Sequence, residues 1–418
     1  MAKIVVNGGK KLEGSVSVGG AKNATLPILA ASIMSESPVN IINCPEISDV
    51  WNMVYILRYM GCGVAVEGTS ITVDATKMSD HDMPEELSKE MRSSIFMLGP
   101  MLSRFKRARF TYPGGCEIGL RPIDLHLKGL SELNVKIEEA HGQIICNASD
   151  LTGNEIHLDY PSVGATENIM MAAVSAKGRT MIRNAAREPE VAELQKLLNA
   201  MGGRVRGAGT SSVLIEGTSP LHGVVHEVMP DRIVAGTYMV AAAITGGDIK
   251  IMNAIVDNQH AVISKLKEAG CTILPAGEKA VRVIGPERPK EMQMIETLPY
   301  PGFPTDMQAQ FFALASVAEG TSIIVENVFE SRFKHAAELS RMGASVKIKG
   351  RMAVIRGVSR LMGARVRVND LRGGAALVLA GLRAEGETEI ENAQLIDRGY
   401  ENFAQSLAGL GAEIRKED

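Results

Sequence analysis

The sequence repeats one pattern six times, and this repeat limits the fold more than any other feature of the chain. In each copy an apolar strand leads through a short loop into a helix, which ends at a hydrophobic–Gly or hydrophobic–Asn step. The strands are Val39–Asn43, Ala108–Tyr112, Thr180–Asn184, Ile249–Asn253, Ser322–Asn327 and Thr388–Asn392. Their spacing of about 65–75 residues exceeds the roughly 20–50 residues of ordinary solenoid units. The repeat unit is therefore a small αβ subdomain, and function is expected where the copies differ.

The first copy gives the order of elements within one unit. The sequence predicts a strand at Ser15–Val18, a buried helix over Ala21–Met34, a strand at Val39–Asn43, a second helix over Ser48–Met60, and a hairpin of Val64–Val66 with Ile71–Val73. Pro27 is expected near the first turn of the first helix, where proline is tolerated. The unit is therefore βαβαββ.

The first helix of each later copy is rich in alanine and apolar on every side, which is typical of a buried helix. These helices are expected to begin near Arg92, Gly164, Arg232, Asp306 and Arg372. Such a fold would have its helices inside and its sheets outside, which is the reverse of the usual α/β barrel. Six copies divide most simply into two domains of three, with the linker predicted near Leu221–Pro230.

Composition excludes several classes of function. The formal net charge of -3 provides no basic field, so nucleic acid is not an expected partner. Five cysteines without CxxC spacing argue against a disulfide framework and against a zinc site, and they fit a reducing cytosol. The start lacks the apolar region of a signal peptide, and no apolar run reaches the ~20 residues of a membrane span.

The second copy departs most from the pattern. It carries a loop with three glycines and one cysteine, from Pro113 to His126, with Cys116 in its middle. Arg121 would lower the pKa of the Cys116 thiol from its usual value of about 8.5 and increase its thiolate fraction. The alternative interpretation is a surface cysteine in a turn.

Two further copies carry candidate charged groups at helix starts. Gly19–Asn23 places Lys22 at the N-terminus of a helix, where free N–H groups and the helix dipole favour an anion. In the fifth copy Asp306 is a candidate general base facing such a site. The alternatives are a solvated surface lysine for Lys22 and simple helix capping for Thr305 or Asp306.

Arginines recur at equivalent places of the repeats. Arg92, Arg232 and Arg372 start first helices, while Arg121, Arg332 and Arg398 lie in the loops after the following strands. A rim with these residues would bind a substrate that has several phosphates or carboxylates. The alternative is that each arginine pairs with a local Asp or Glu.

Taken together, the local motifs resemble those of the UDP-N-acetylglucosamine 1-carboxyvinyltransferases, a family of enolpyruvyl transferases. The resemblance covers essentially the whole chain. It rests on the segments Gly20–Asn23, Pro113–His126, Ser162–Thr166, Asn184–Glu190, Pro304–Gln308 and Phe329–Phe333.

The resemblance implies an α/β (α+β) fold, a two-domain inside-out α/β barrel of six βαβαββ repeats with the active site in the cleft between the domains. The first domain would span residues 21–229, and the second would combine residues 1–20 with residues 230–418. The implied reaction transfers the enolpyruvyl group of phosphoenolpyruvate to the 3-hydroxyl of UDP-N-acetylglucosamine and releases phosphate, with no cofactor and no metal. It is the first committed step of peptidoglycan synthesis, which implies a cytoplasmic enzyme linked to cell-wall biogenesis, cell shape and cell division.

The resemblance also implies roles for individual residues. Cys116 would donate a proton to phosphoenolpyruvate, form a covalent adduct with it and react with the epoxide fosfomycin, while Asp306 would serve as base. Phosphoenolpyruvate would be bound by Lys22, Asn23, Cys116, Arg121 and Arg398. The nucleotide sugar would be bound by Asn23, Arg92, Arg121, Pro122, Ile123, Asp124, Leu125, Tyr160, Pro161, Ser162, Val163, Asp306 and Val328. Supporting charge pairs are expected from Asp49, Glu188, Arg332 and Asp370.

One departure and two alternatives qualify this assignment. Some members of the family carry Lys-Val where this chain has Tyr160-Pro161, so a ring or hydroxyl of Tyr160 would replace a lysine contact. One alternative is 5-enolpyruvylshikimate-3-phosphate synthase, which has the same fold but lacks the cysteine loop. The other is a non-catalytic paralogue that binds the nucleotide sugar, which would be expected to have lost Cys116, Lys22 or Asp306.

Overall fold

The computed structural model of the chain describes residues 2–79, 82–83, 92–111, 123–218 and 220–417, with the backbone alone at positions 92 and 93. By their contacts the described residues form two compact units, one from the segments up to Gly19 and from Pro230 onward, the other from Gly20 to Met229.

The α-helices are α1 Lys22–Ala31, α2 Ser48–Tyr59, α3 Leu98–Phe105, α4 Asp124–Glu132, α5 Val163–Ala173, α6 Pro189–Ala200, α7 Arg232–Thr245, α8 His260–Glu268, α9 Gln308–Val317, α10 His335–Arg341, α11 Leu371–Arg383 and α12 Phe403–Gly409.

The strands follow the predicted order of the repeat. The first half of the chain carries β1 Lys3–Asn7, β2 Glu13–Ser17, β3 Val39–Ile42, β4 Gly63–Glu67, β5 Ser70–Asp74, β6 Arg107–Thr111, β7 Lys136–Ala140, β8 Gln143–Asn147, β9 Glu155–His157, β10 Arg179–Arg183, β11 Arg204–Arg206 and β12 Ser212–Glu216. The second half carries β13 Val225–Glu227, β14 Asp248–Met252, β15 Thr272–Gly277, β16 Ala280–Ile284, β17 Met294–Glu296, β18 Thr321–Val325, β19 Ser345–Lys349, β20 Met352–Arg356, β21 Arg365–Arg367, β22 Glu387–Glu391 and β23 Glu413–Glu417.

Each repeat contributes one small sheet, and five of the six share a short edge strand that runs parallel to the next strand of the repeat. In four of these an antiparallel hairpin completes the sheet, as in the order β11-β12-β10-β9. Among the described residues the sheet of the second repeat has three antiparallel strands in the order β6-β8-β7. In two sheets the edge strand comes from far along the chain, because β13 pairs with β3 and β2 pairs with β14. The predicted linker Leu221–Pro230 therefore contains a paired strand, Val225–Glu227.

The sixth sheet is completed by the N-terminus of the described chain. Its order is β21-β22-β1-β23, so β1 occupies the position that the last hairpin strand fills in the other repeats. Lys3–Asn7 pairs antiparallel with both β22 and β23, in full register over five residues. The sixth repeat is thus closed by a strand more than 350 residues away in sequence, which ties the two chain ends into one sheet.

The first helices of the repeats are buried on all sides, which confirms the predicted inside-out arrangement. Every residue of α9 is buried, and α7 leaves only Arg232 and Val234 partly exposed. The sheets face the solvent with their outer side, as the alternating exposure of β4 shows. Two separate apolar clusters result, one within residues 21–229 and the other within residues 4–18 and 233–410.

The hydrophobic–Gly step closes the second helix of every repeat with the same hydrogen bond. The residue after the step donates its N–H to the carbonyl five positions earlier at 2.8–3.2 Å, as Cys62 does to Leu57. This bond needs a left-handed residue between them, and the six positions Gly61, Asn134, Gly202, Gly270, Gly343 and Gly411 all have φ between 66° and 100°. The repeated glycine is therefore a helix stop.

The repeated Asn at the strand end joins the sheet edge to the loop. Asn43, Asn184, Asn253 and Asn392 adopt left-handed φ of 54–62°. Each donates its side-chain amide to the carbonyl of the residue just after the edge strand, at 2.7–3.0 Å. Asn accepts this backbone conformation at lower cost than other residues with a Cβ. The conserved pattern within the chain is thus scaffold, as the repeat analysis predicts.

The predicted helix over Ala21–Met34 differs in two details. The α-helix begins at Lys22 and ends at Ala31, and Ser32–Met34 is a 3₁₀ turn. Pro27 is the sixth residue of the helix, beyond its first turn, and cannot donate to the carbonyl of Asn23. The cost is offset because nearly every side chain of this helix is buried. No helix in the part of the chain described here has both the length and the apolar character needed to cross a bilayer.

The strand-end Asn provides a stability test. Asn184→Ala loses the 2.8 Å bond to Leu158 and strains a left-handed residue, so we expect a loss of about 2 kcal/mol in the free energy of unfolding. Asn184→Gly loses the bond but relieves the strain, and we expect about 1 kcal/mol. Urea denaturation measures both, and equal losses in the two variants would contradict the role assigned to φ.

Candidate active site

The site residues named from the sequence fall on both units. Cys116, Arg121 and Pro122 lie outside the described residues, and so does the side chain of Arg92. The unit from Gly20 to Met229 carries Lys22, Asn23, Asp49, Ile123, Asp124, Leu125, Tyr160, Pro161, Ser162, Val163 and Glu188. The other unit carries Asp306, Val328, Arg332, Asp370 and Arg398.

Lys22 is the first residue of α1 and is not a solvated surface lysine. Its side chain is 11% exposed, and Nζ lies 2.6 Å from Oδ2 of Asp49, which is 4% exposed. The preceding glycine is required by packing, because a Cβ at Gly20 would lie 1.8 Å from the carbonyl oxygen of Asn43. Gly20 therefore lets two backbone segments approach each other, just before the helix whose first residue carries the buried ammonium.

The segment Tyr160–Val163 forms the N-terminus of α5. The Ser162 side chain caps this helix by accepting from the N–H of Ala165 at 3.3 Å, and the Tyr160 side chain is exposed. Pro161 and Val163 are half-buried. A helix N-terminus with an exposed aromatic residue before it suits a phosphate group and a flat ring.

The start of α4 holds three further candidates from the sequence. Ile123 is buried and precedes the helix, Asp124 is its exposed first residue, and Leu125 is half-buried. Ile123 thus anchors the helix start in the core while Asp124 is left accessible. Asn23 follows Lys22 on α1 and is half-buried.

Asp306 is held by two buried arginines. Its Oδ1 accepts from Nη2 of Arg332 at 2.8 Å, and its Oδ2 lies 3.4 Å from Nη2 of Arg372. The side chains of both arginines are 3% exposed, whereas the Asp306 side chain is 26% exposed. Two buried cations therefore hold the carboxylate of Asp306, while part of its side chain remains exposed to solvent.

Neither Thr305 nor Asp306 caps the helix that follows, so the capping interpretation is wrong. The Thr305 hydroxyl donates instead to Oε2 of Glu326 at 2.9 Å. Oε1 of Glu326 accepts from the N–H groups of Val328 and Phe329 at 2.9 and 3.1 Å. Glu326 is 1% exposed and thus links the turn before Asp306 to the loop that carries Val328 and leads to Arg332.

The electrostatics of this cluster are dominated by its arginines. Burial by itself lowers the pKa of the Arg372 guanidinium, but Tyr400, Asp306 and Asp231 together raise that pKa above its usual value. Burial lowers the pKa of His335 to about 4 and outweighs the raising effect of Asp370, while Arg332 adds a smaller lowering. His335 is therefore neutral at pH 7 and leaves the positive charge to the arginines.

The remaining supporting residues have separate surroundings. Asp370 caps α11 by accepting from the N–H groups of Arg372 and Gly373 at 3.0 and 2.9 Å. Arg398 ends the 3₁₀ turn Ala393–Arg398 and is half-buried. Glu188 precedes α6 and lies near the fully buried Glu167, whose pKa is raised well above its usual value by burial and then by Glu190 and Glu188.

Two residues of the site, Glu326 and Tyr400, are absent from the set named by sequence. Glu326 precedes a strand-end Asn, a place that gives no signal by itself, because Glu391 precedes Asn392 in the sixth copy. The recurrence of Arg372 at a helix start, like Arg232, predicts it at an anion-binding rim, and the structure places it 3.4 Å from Asp306. Tyr400, whose ring centre is 5.2 Å from Cζ of Arg372, carries no sequence signal.

Each unit offers its own chemistry. In the unit from Gly20 to Met229 a buried ammonium and two helix N-termini favour phosphate or carboxylate. In the other unit a fixed, partly exposed carboxylate can accept a hydrogen bond from an alcohol. Within the described ranges, no group of three His, Cys, Asp or Glu side chains is arranged to hold a metal ion.

Comparison with known proteins agrees with this chemistry. The family described as EPSP synthase (3-phosphoshikimate 1-carboxyvinyltransferase) matches residues 6–407. The chain is 53% identical over 414 residues to UDP-N-acetylglucosamine 1-carboxyvinyltransferase 2 of Caldanaerobacter subterraneus subsp. tengcongensis, covering 99% of both chains. It is 52% identical to UDP-N-acetylglucosamine 1-carboxyvinyltransferase 1 of Symbiobacterium thermophilum, covering 99% of this chain and 95% of that protein.

A solved structure extends the comparison to the fold. The enolpyruvyl transferase NikO from Streptomyces tendae superposes with a TM-score of 0.89 at 25% identity, covering 99% of this chain and 98% of that one. The two-unit architecture of small sheets around buried helices is thus that of enolpyruvyl transferases.

The Lys22–Asp49 pair can be tested by a double-mutant cycle. Lys22→Met leaves a buried carboxylate without this partner, and Asp49→Asn removes the opposite charge, so each should lower the free energy of unfolding by about 3 kcal/mol. The double variant should lose about 2 kcal/mol less than the sum, as measured by urea denaturation. Additive losses would show that the two side chains do not interact in solution.

Proposed function

Because the chain belongs to the enolpyruvyl transferase family, we propose that it transfers the enolpyruvyl group of phosphoenolpyruvate to the 3-hydroxyl of UDP-N-acetylglucosamine and releases phosphate. The observation that carries the proposal is the match at 53% identity over nearly the full length of a protein named for this transfer. The geometry around Asp306 supports it independently, because a fixed carboxylate beside cations suits an alcohol acceptor of an anionic group.

The proposed reaction is an addition followed by an elimination. Cys116 donates a proton to the methylene carbon of phosphoenolpyruvate while the sugar oxygen attacks the neighbouring carbon and its proton passes to a base. Loss of a proton from the new methyl group and departure of phosphate then restore the double bond. Lys22, Arg121 and Arg398 bind the phosphate and carboxylate of phosphoenolpyruvate and stabilise the charge that develops on the leaving phosphate.

Asp306 is assigned the acceptor side of the reaction. Arg332 and Arg372 hold both carboxylate oxygens from the buried side, so the exposed lone pairs have a defined direction. The two cations also stabilise the negative charge of the carboxylate. Proton transfer is favoured only as the oxygen–carbon bond forms and the hydroxyl becomes acidic, which confines it to the transition state.

The nucleotide sugar is assigned to the helix starts of the other unit. The N-terminus of α5, with Tyr160, Pro161, Ser162 and Val163, offers N–H groups and an aromatic ring. Binding of the nucleotide sugar is also assigned to the start of α4, with Ile123, Asp124 and Leu125. The remaining residues assigned to it are Asn23, Arg92, Arg121, Pro122, Asp306 and Val328. Tyr160 takes the place of a lysine contact.

The cellular role follows from the reaction. The product is a peptidoglycan precursor, so the proposal places the enzyme in the cytoplasm, at the start of cell-wall synthesis on which cell shape and division depend. It also assigns Cys116 as the residue that fosfomycin alkylates.

Phosphate release tests the reaction directly. Phosphoenolpyruvate is incubated with UDP-N-acetylglucosamine or, in parallel, with shikimate 3-phosphate, using wild type and Cys116→Ser. We expect release with the nucleotide sugar alone, and a loss of about 10²-fold or more in the variant. Release with shikimate 3-phosphate alone would assign the other acceptor, and nucleotide-sugar binding without release would indicate a non-catalytic paralogue.

The role of Asp306 has a matched control. Asp306→Asn keeps the shape but removes the charge that orients the acceptor, and kcat should fall by about 10²–10⁴-fold. Asp248→Asn removes a carboxylate that pairs with Arg282 at 2.8 Å on a strand of the same unit, and its kcat should stay within about twofold of wild type. A similar kcat for both variants would refute the assignment.

A further inference from the structure

The outer side of α2 carries three large aromatic side chains that have no part in the proposed site. Trp51, Tyr55 and Tyr59 are 36%, 53% and 63% exposed. Residues four positions apart follow one side of a helix, so the three form a continuous row, here called the aromatic stripe. The stripe contains the only tryptophan of the sequence and two of its seven tyrosines.

The other repeats have polar or small residues where the stripe has tyrosines. The second helices can be aligned at the helix stop, because the same hydrogen bond closes all six. Six positions before the stop, in place of Tyr55, the other copies have Lys128, Lys196, Ser264, Ala337 and Gln405. Two positions before it, in place of Tyr59, they have Glu132, Ala200, Glu268, Arg341 and Gly409. The aromatic stripe therefore belongs to the first copy and is not required by the repeat.

The stripe is also not needed to attach α2 to its own unit. The opposite side of the helix is already buried in the apolar cluster, through Val50, Met53, Val54, Ile56 and Leu57. The fourth exposed residue of the helix is an arginine, at position 58. Trp, Tyr and Arg are the residue types that contribute most binding energy at protein interfaces, and α2 exposes these three types together. The composition of this surface thus indicates a protein partner.

The surface at the N-terminal end of α2 is acidic. Glu46 is exposed in the loop before the helix, and Glu67 is exposed at the end of β4. The turn that follows β4 is joined to the same loop, because the N–H of Cys44 donates to the carbonyl of Thr69 at 2.8 Å. Two carboxylates therefore lie near this end of the stripe.

The surface at the C-terminal end of α2 is basic. Arg58 is exposed there and donates from Nη2 to the carbonyl of Val64 at 3.0 Å. Lys77 is also exposed, and its backbone lies against Gly61, just after the helix. The carboxylate at this end, Asp74, is half-buried and accepts from the N–H and the hydroxyl of Thr76 at 2.9 and 2.6 Å.

An aromatic row between an acidic end and a basic end is complementary to a second copy of itself. When two α2 helices meet antiparallel about a two-fold axis, the stripes face each other. The acidic end of each copy then lies beside the basic end of the other, and the helix dipoles are opposed. A parallel arrangement would place like charges together. Charge complementarity therefore selects the antiparallel pair.

We propose that the aromatic stripe is the centre of a two-fold interface between two copies of this chain, with their α2 helices antiparallel. At about 150–250 Å² for each aromatic side chain, the exposed fractions amount to roughly 300 Å² per copy. A standard interface buries about 800 Å² per partner, so the charged ends must add to the buried surface. The expected assembly is a reversible dimer whose population depends on concentration.

Trp51 reports directly on this interface, because the sequence contains no other tryptophan. The experiment follows its fluorescence emission and the sedimentation velocity of the full chain between about 1 and 200 μM. We expect the emission maximum to move to shorter wavelengths as the protein concentration rises. The shift should follow the conversion of monomer to dimer, because dimerisation removes the indole ring from water.

The variant Tyr55→Lys with Tyr59→Glu removes the stripe in a way that the fold tolerates. It gives α2 the residues that α4 has at the same two positions, Lys128 and Glu132, so its melting temperature should stay close to that of wild type. We expect its dimer to be weaker by about 30-fold or more, and its Trp51 emission to be independent of concentration.

Ile348→Lys is the matched control. It removes an apolar side chain that is 46% exposed on β19, in the other unit, and it should dimerise like wild type. An equal loss of dimer in this control and in the stripe variant would assign the association to general surface hydrophobicity and overturn the inference.

Charge reversal tests the antiparallel orientation. Arg58→Glu places an acidic group at the basic end and should weaken the dimer by about fivefold or more. Arg58→Glu combined with Glu46→Arg reverses both ends and should restore most of the lost affinity. A double variant that is as weak as Arg58→Glu alone would refute the antiparallel pair.

Two results with the unmodified interface would overturn the inference outright. One is a wild type that remains monomeric over the whole concentration range with constant Trp51 emission. The other is a dimer that persists in the Tyr55→Lys, Tyr59→Glu variant, because its interface would then lie elsewhere. None of these outcomes depends on the reaction that the chain catalyses.

Discussion

The first helix of each repeat is buried along nearly its whole length, and this burial governs how the other elements are arranged. A helix such as α9, buried at every residue, has no side that tolerates water, so it must be covered on all sides. The sheets and the second helices provide this cover, and they take the solvent-facing positions as a result. Only the helix ends remain accessible, and the ends are where polar groups can be placed without disturbing the core.

This constraint explains where the candidate residues lie. Lys22, Ser162 and Arg372 all stand at or next to the N-terminus of a first helix. N–H groups there have no partner within the helix and carry a partial positive charge, which suits anionic substrates. The same plan that leaves no free face on the helices therefore concentrates binding groups at their starts.

The fifth copy shows how a repeat is altered for function. Four copies use a left-handed Asn to fasten the strand end to the edge strand. In the fifth copy Asn327 donates to Glu296 instead, and Glu326 collects bonds from Thr297, Thr305 and two backbone amides. These hydrogen bonds to Glu326 hold the turn that carries Asp306. The buried Arg332 and Arg372 are costly to desolvate, and their use beside a partly exposed carboxylate fits a site where orientation matters more than stability.

The repeat, the order βαβαββ, the buried first helices and the helix stops can all be predicted from the sequence, because each depends on local patterns of apolar residues, Gly and Asn. It also marked Lys22 and Asp306 as charged residues at helix starts. Three other features emerge from the folded chain alone. Lys22 is buried against Asp49, Asp306 is bound by Arg332 and Arg372 and does not cap its helix, and β1 completes the sixth sheet. These outcomes join residues from 26 to more than 380 positions apart. Such contacts form only when separate elements pack against each other. The free energy of burying a charge or pairing a strand depends on the partner that this packing brings near, and local sequence does not identify that partner.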